Sequence, residues 1–172
     1  MKYTFFYQAG ASLLRNIGGE IGRTLRGKFY SIAGIKMGRR VKIHENVFIY
    51  RPYNLEIGND TEIGTGAIIS SRRKIRIGKN VGIGPQTSIY DNDHKMPLGP
   101  REEDMIDSPV EIGDGVWIGT RAIILRGVRI GKNSTVGAGS VVNQNVPENA
   151  VVCGNPAKII KYNLMGKNNK ER

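Results

Sequence analysis

A single cysteine, Cys153, stands in the 172 residues of this chain. That excludes an internal disulfide framework and a cysteine-bound zinc cluster, and Cys153 reads as a small packing residue. Histidine is almost as scarce. With only His44 and His94, the chain cannot supply the three imidazoles of a carbonic-anhydrase-type zinc site, and no metal is expected. No apolar run approaches the roughly 18 residues needed to span a bilayer. The opening "MKYTFFYQAG" is too short and too polar for the apolar core of a secretory signal, so a cytoplasmic protein is expected. Acids are nearly missing from the two ends. Residues 1–40 hold eight Lys and Arg against one acid and residues 158–172 hold five against one, while 41–157 carry thirteen of each sign. The formal charge of +11 therefore belongs to the ends. Nucleic acid, which asks for a basic stripe across the folded surface, is not an expected partner. Basic ends suit a solvated tail, an anionic membrane surface or a phosphate-bearing ligand.

What the middle of the chain does have is a rhythm. "LEIGNDTEIGTGAII" from Leu55, "IRIGKNVGIGPQTSI" from Ile75, "VEIGDGVWIGTRAII" from Val110 and "VRIGKNSTVGAGSVV" from Val128 align without gaps. Large aliphatics recur six apart, as at Ile57, Ile63 and Ile69 or Ile112, Ile118 and Ile124. Period six is neither helical nor that of a long strand. It fits a short strand plus a tight corner. A small or branched residue two positions earlier, such as Thr61, Ala67, Val116 or Ala122, shares the inward face. Gly after the aliphatic is expected to supply backbone dihedrals that a Cβ forbids. Three sixes, the 18 residues from Val110 to Val128, close a triangular coil. Stacked coils bury a continuous core, each aliphatic contributing about 1.5–3 kcal/mol.

The rhythm breaks once. From Ile75 to Val110 is 35 residues, about 17 more than one coil needs, and Pro97, Gly99, Pro100 and Pro109 punctuate the excess. His94 stands at its start. A neutral imidazole can take a proton from an acceptor hydroxyl; a surface histidine without a role is the plainer reading. Asp91 or Asp93 can orient the ring, or either can be a solvated carboxylate. Ahead of the coil, Leu14, Ile17, Ile21 and Leu25 fall three or four apart, a helical face. That segment either caps the first coil or lies on an anionic membrane.

"IGDGVWIGTRAIILRGVRIGKNSTVGAGSVVNQNVPENAVVCGNPAKIIK" resembles the C-terminal half of the hexapeptide-repeat acyltransferases, most nearly the maltose, galactoside and polysaccharide O-acetyltransferases. The resemblance covers about residues 41–161. It implies an all-β fold, a left-handed parallel β-helix of triangular section, assembled as a homotrimer with its active sites between subunits. The expected division is a basic, helical cap over 1–40, the coil over 41–161 with an extruded active-site loop at about 91–109, and a flexible basic tail over 162–172. The resemblance also implies acetyl-CoA as donor, a sugar hydroxyl of a surface polysaccharide or lipopolysaccharide as acceptor, and His94 as general base. CoA contacts carry over to Thr120, Ala138, Asn143, Lys158 and Lys161, with Arg121 near them and Trp117, which should face outward, beside the site. Gly64 and Arg72 stand where the galactoside and maltose branch places an acceptor-binding asparagine and aspartate. With "SSRRK" at 70–74, that departure points to an anionic acceptor or to a solvated corner. N-acetylation of a nucleotide-linked amino sugar and a non-catalytic trimeric scaffold are the competing readings.

Overall fold

The computed structural model describes residues 2–95 and 104–163, with side chains from residue 6. The middle of the expected loop, with Pro97, Gly99 and Pro100, and the tail from residue 164 lie outside the described residues. Helices α1 (Lys2–Arg15) and α2 (Gly19–Ile32) precede a coil whose short strands stack in parallel as the three sides of a prism.

Each side has its own outward chemistry. The first stacks Leu55–Ile57, Ile75–Ile77 and Val110–Ile112 between shorter strands, and turns Lys36, Glu56, Arg76, Glu111 and Arg129 outward in register. Alternating signs pair along this charged face: Lys36–Glu56 at 3.3 Å, Arg76–Glu56 at 3.2 Å, Arg76–Glu111 at 3.3 Å and Arg129–Glu111 at 3.5 Å. Lys74 adds a hydrogen bond that holds the Glu56 carboxyl down at about 2. The second, mixed face presents Lys42, Glu62, Gly82, Trp117 and Thr135. The third is apolar: Phe48, Ile68, Ser88, Ile123 and Val141 stack outward with no charge among them, beside a second column of Tyr50, Ser70 and Tyr90.

The inward positions are those the rhythm marks. Ile57, Ile63, Ile69, Ile77, Ile83, Ile89, Ile112, Ile118, Ile124, Ile130, Val136 and Val142 are all buried. The small partners fill the corners, and the polar ones bond the next rung: Thr61 Oγ1 donates to Gly78 O at 2.8 Å, Thr87 Oγ1 to Gly119 O at 3.2 Å and Ser134 Oγ to Pro147 O at 2.6 Å.

The glycines after the aliphatics have a different cause from the one expected. None of Gly58, Gly64, Gly78, Gly84, Gly113, Gly119, Gly131 and Gly137 has a positive φ. A Cβ on Gly119 would lie 2.5 Å from Ala138 N, and one on Gly84 2.6 Å from Thr120 N. These residues are small because the next rung's backbone crosses directly over them. The left-handed dihedral falls two residues later, at Asp60, Gly66, Asn80, Gln86, Gly115, Arg121, Asn133 and Gly139. There it reverses the peptide, so that N–H donates backwards to the preceding rung, as from Asn80 to Asn59 O and from Gly139 to Thr120 O. Gly119→Ala should therefore cost about 3 kcal/mol by overpacking. Gly139→Ala, which meets nothing within 4 Å but has φ +68°, should cost about 1 kcal/mol of backbone strain. Urea unfolding of the two variants checks the ranking, and the reverse order would reject the stacking explanation.

Alternate residues of a parallel ladder point to opposite neighbours. In the first rung Lys42, His44 and Phe48 donate forward, to Thr61 O, Ile63 O and Ala67 O, while the carbonyls of Ile43, Val47 and Ile49 face the helices, where donors from the cap meet them. Arg26 Nε reaches Ile43 O at 3.0 Å, Tyr30 OH reaches Val47 O at 3.2 Å and Tyr7 OH reaches Ile49 O at 2.5 Å. Burial pushes the Tyr30 phenol up to about 12. Arg26, 1% exposed, also donates to Leu14 O and Ile17 O, tying α1 to α2. The packed face of α2 is therefore Gly22, Arg26 and Tyr30, not the aliphatic stripe expected from the sequence. Ile21 is 73% exposed, and Ile17 and Leu25 also face outward. An open rung of carbonyls selects donors, and aliphatics offer none. Among the described residues no helix is long and apolar enough to cross a membrane.

Candidate active site

Every departure from period six falls at one corner, where the apolar face turns into the charged face. Ile49 to Ile57 and Ile69 to Ile77 are eight residues apart, and Ile89 to Ile112 is twenty-three. This loop corner carries Arg51 on the first rung, Ser71–Lys74 on the second and the His94 loop on the third. The loop leaves the prism as a ribbon: Asn92–His94 pairs antiparallel with Met105–Asp107, His94 opposite Met105. Ser108 N donates to Asp91 O at 2.8 Å where the chain re-enters. His94 is exposed. It borders a cavity of about 290 Å³ together with Tyr50, Arg51, Ser70, Arg72 and Asn92.

Asp91 does not orient the imidazole. Its fully buried carboxylate accepts the backbone N–H groups of Arg72 (2.8 Å), Arg73 (2.8 Å) and Lys74 (2.7 Å), and the Asn92 amide at 2.9 Å. It folds the widened second-rung corner, whose N–H groups have turned away from the strand ladder. Asp93 does not orient the ring either. Its Oδ1 accepts the backbone N–H of His94 at 2.8 Å, and Oδ2 lies 3.9 Å from Arg126 Nε. Among the described residues no carboxylate meets the imidazole.

The residues expected to hold CoA lie elsewhere. Thr120 and Ala138 are exposed on successive rungs of the corner where the mixed face turns into the apolar face, joined by Gly139 N→Thr120 O at 2.8 Å. Arg121 shares that corner and donates to Gln86 Oε1 at 2.6 Å. Trp117, 56% exposed, points out from the mixed face as expected, and its ring lies over Gly82. Gly82 supplies the space: a Cβ there would stand 2.5 Å from Trp117 Cε3. Lys158 and Lys161 are exposed on Ala157–Tyr162, which folds back antiparallel along the last mixed-face strand. Asn143, also exposed, follows Val141–Val142 onto the loop corner. Within one chain the apolar face separates His94 from Thr120 and Ala138.

A sequence profile described as "Bacterial transferase hexapeptide (six repeats)" matches residues 109–144. The solved maltose O-acetyltransferase of Clostridium difficile 630 is 32% identical, covers 94% of this chain and 86% of its own, and superposes with a TM-score of 0.84. The chain belongs to the hexapeptide-repeat acyltransferase family. A hexapeptide-repeat acetyltransferase of Vibrio cholerae, solved with acetyl-CoA, is 29% identical over 91% of this chain and 86% of its own, with a TM-score of 0.77. The galactoside O-acetyltransferase of Escherichia coli K12 is 32% identical over 126 residues, 73% of this chain and 62% of that protein. The chain spans less than two thirds of the length of this and other curated relatives that it matches. Superposition also fixes the hand. A right-handed coil cannot be laid on these left-handed prisms, so the hexapeptide-repeat chain is left-handed, as expected.

Within this family fold, three features of the site escape a reading of the sequence. Tyr50 and Arg51 border the His94 cavity from the first rung, some forty residues upstream of the imidazole. Arg126 reaches the loop from the fourth rung. Asp91 is a fold determinant whose partners stand 17–19 residues before it. Only counting the widened corners points to the first of these.

Proposed function

We propose that this protein is an acetyl-CoA-dependent acetyltransferase acting on a sugar hydroxyl, a trimer whose sites are each shared by two subunits, with His94 as general base. One observation carries the reading. His94 and the Thr120–Ala138 corner lie at the two edges of one uncharged, largely apolar face. Three prisms that turn this face toward a common axis set each loop corner beside the opposite corner of the next prism. Burial of Phe48, Ile68, Ile123 and Val141 drives that assembly, whereas the ion-paired charged face gains nothing from leaving water.

In the shared cleft His94 takes the proton of the acceptor hydroxyl. The oxygen attacks the thioester carbonyl, and backbone N–H groups at the corner meet the oxyanion. The C–S bond then breaks, the ester remains on the acceptor, and the imidazolium returns its proton to the CoA thiolate. Trp117, Thr120 and Ala138 line the path of the pantetheine arm, and Lys158 and Lys161 answer its phosphates. No nucleophile on the enzyme takes part. The maltose and galactoside O-acetyltransferases and the acetyl-CoA complex among the relatives support this donor and acceptor class.

Purified protein incubated with acetyl-CoA and a panel of sugars, amino sugars, nucleotide sugars and glycan fragments should release free thiol with a hydroxyl acceptor. Sedimentation should give three times the chain mass. A monomer that releases no thiol above hydrolysis with any acceptor overturns the proposal. Thiol release with amino sugars alone transfers it to N-acetylation.

A further inference from the structure

The helical cap covers the first rung with polar donors and turns aliphatics the other way. On α2, Arg26 and Tyr30 face the rung, while Ile21, Leu25 and Ile32 lie roughly 100–160° round the helix from them. On α1, Ala11 is buried, and the Arg15 guanidinium reaches the Phe48 ring of the first rung, 3.9 Å from its centroid. Leu13 stands between these two in sequence, so it lies about 160° round α1 from each. Gly10 lies against Phe29, which sets the two helices side by side on the end of the column. With their rung-facing residues turned down, both helices present Leu13, Ile21, Leu25 and Ile32 on the surface opposite the prism. Leu13 is 77% exposed and Ile32 86%. Large aliphatics gathered on one exposed surface mark a place of contact.

The charge around them says with what. Glu20, the sole acid among residues 1–40, is paired with Arg23. Of the acids on the adjoining rungs, Glu45 meets Arg26 and His44, Glu56 meets Lys36, and Asp60 meets Arg40. Lys28 is exposed within the stripe, between Leu25 and Ile32, and Arg39 is exposed on the first rung. Among the described residues, Arg15, Lys28 and Arg39 meet no carboxylate. Aliphatics and cations on one surface suit a leaflet that offers hydrocarbon beneath phosphate. A second copy docked cap to cap would instead set Lys28 and Arg39 against the same charges.

From this arrangement we infer that the cap is a membrane-surface anchor. The helix pair lies on an anionic phospholipid leaflet, with Leu13, Ile21, Leu25 and Ile32 entering the headgroup boundary and Lys28 meeting lipid phosphates. The anchor does not depend on acetyl transfer. In the proposed trimer the threefold axis runs along the columns, so three caps share one end and meet one plane, which multiplies a weak single contact; this step alone rests on the trimer.

Flotation of the purified protein with lipid vesicles tests the anchor. Vesicles of equal parts phosphatidylglycerol and phosphatidylcholine should carry the protein at about 0.1 M salt, and about 0.5 M salt should weaken that binding. Phosphatidylcholine alone should bind it about tenfold more weakly. Leu13→Gln, Ile21→Gln and Ile32→Gln combined should leave the melting temperature unchanged, since these side chains stand outside the core, and weaken binding to the anionic vesicles about tenfold or more. Lys28→Gln should weaken it about fivefold, and it reads the charge requirement even where the triple variant fails to fold. No binding to either vesicle, equal binding to both, or binding that a folded triple variant retains overturns the inference. So does an association without lipid, seen in sedimentation as a doubling of mass that the triple variant abolishes, which gives the surface to a second copy. A monomer that floats with anionic vesicles keeps the anchor and removes the trimer. Release of thiol from acetyl-CoA, measured separately, bears on the transferase reading alone.

Discussion

His94→Ala should lower acetyl transfer by about 10²–10⁴ in kcat while leaving the melting temperature unchanged, because positioned general-base catalysis contributes that much. The ring is exposed on a ribbon outside the prism, so its loss removes nothing from the core. A shared site makes a sharper claim. Ala138→Trp should block the pantetheine path from the opposite corner and be inactive as well. Refolded together in equal amounts, the two dead variants should recover about a quarter of wild-type activity, the share of interfaces that pair an intact loop with an intact corner. A site complete within one chain would recover nothing from the mixture. Wild-type turnover in His94→Ala on the best acceptor would remove the imidazole from the mechanism.

Asp91→Ala should be among the most damaging single changes to the fold, about 3–5 kcal/mol, since it strands three backbone N–H groups that cost about 1–3 kcal/mol each when unsatisfied. Residual water at the half-buried corner keeps the total below the sum. Asp91→Asn should recover part of the loss, because one amide oxygen still accepts while its NH2 confronts donors. Urea midpoints at constant m-value measure both. A loss below about 1 kcal/mol for the alanine variant would mean that the corner holds without the carboxylate.

The prism was legible because its logic is local. An isoleucine every sixth residue has one consistent home, and Ile57, Ile63 and Ile69 could be assigned inward without knowing their neighbours. Gly119 shows how the right position can carry the wrong reason. Its sequence context is that of a turn glycine, but what forbids a side chain is Ala138, on the next rung and nineteen residues later. The helices misled for a related cause. An arginine at position 26 looks like solvent-facing charge until the first rung's open carbonyls are in view, and an aliphatic stripe looks like the buried face until Arg26 and Tyr30 are found there. At the site, the interrupted rhythm drew attention to the loop that carries His94, and only the family resemblance gave that histidine a role. That Thr120 and Ala138 stand on a different corner follows from counting sixes. Asp91 was ambiguous because its three partners belong to the rung before, and nothing within its own segment signals them.

The donor side chains set against the first rung have a consequence for how the protein ends. A stack of parallel rungs is a template: its exposed terminal carbonyls would accept the N–H groups of any extended segment, including the last rung of another copy, and head-to-tail growth would give a fibre. Arg26, Tyr30 and Tyr7 present donors but no backbone ladder, so they terminate the column chemically as well as cover it. A short coil can in this way remain a discrete particle while keeping the same repeat from end to end.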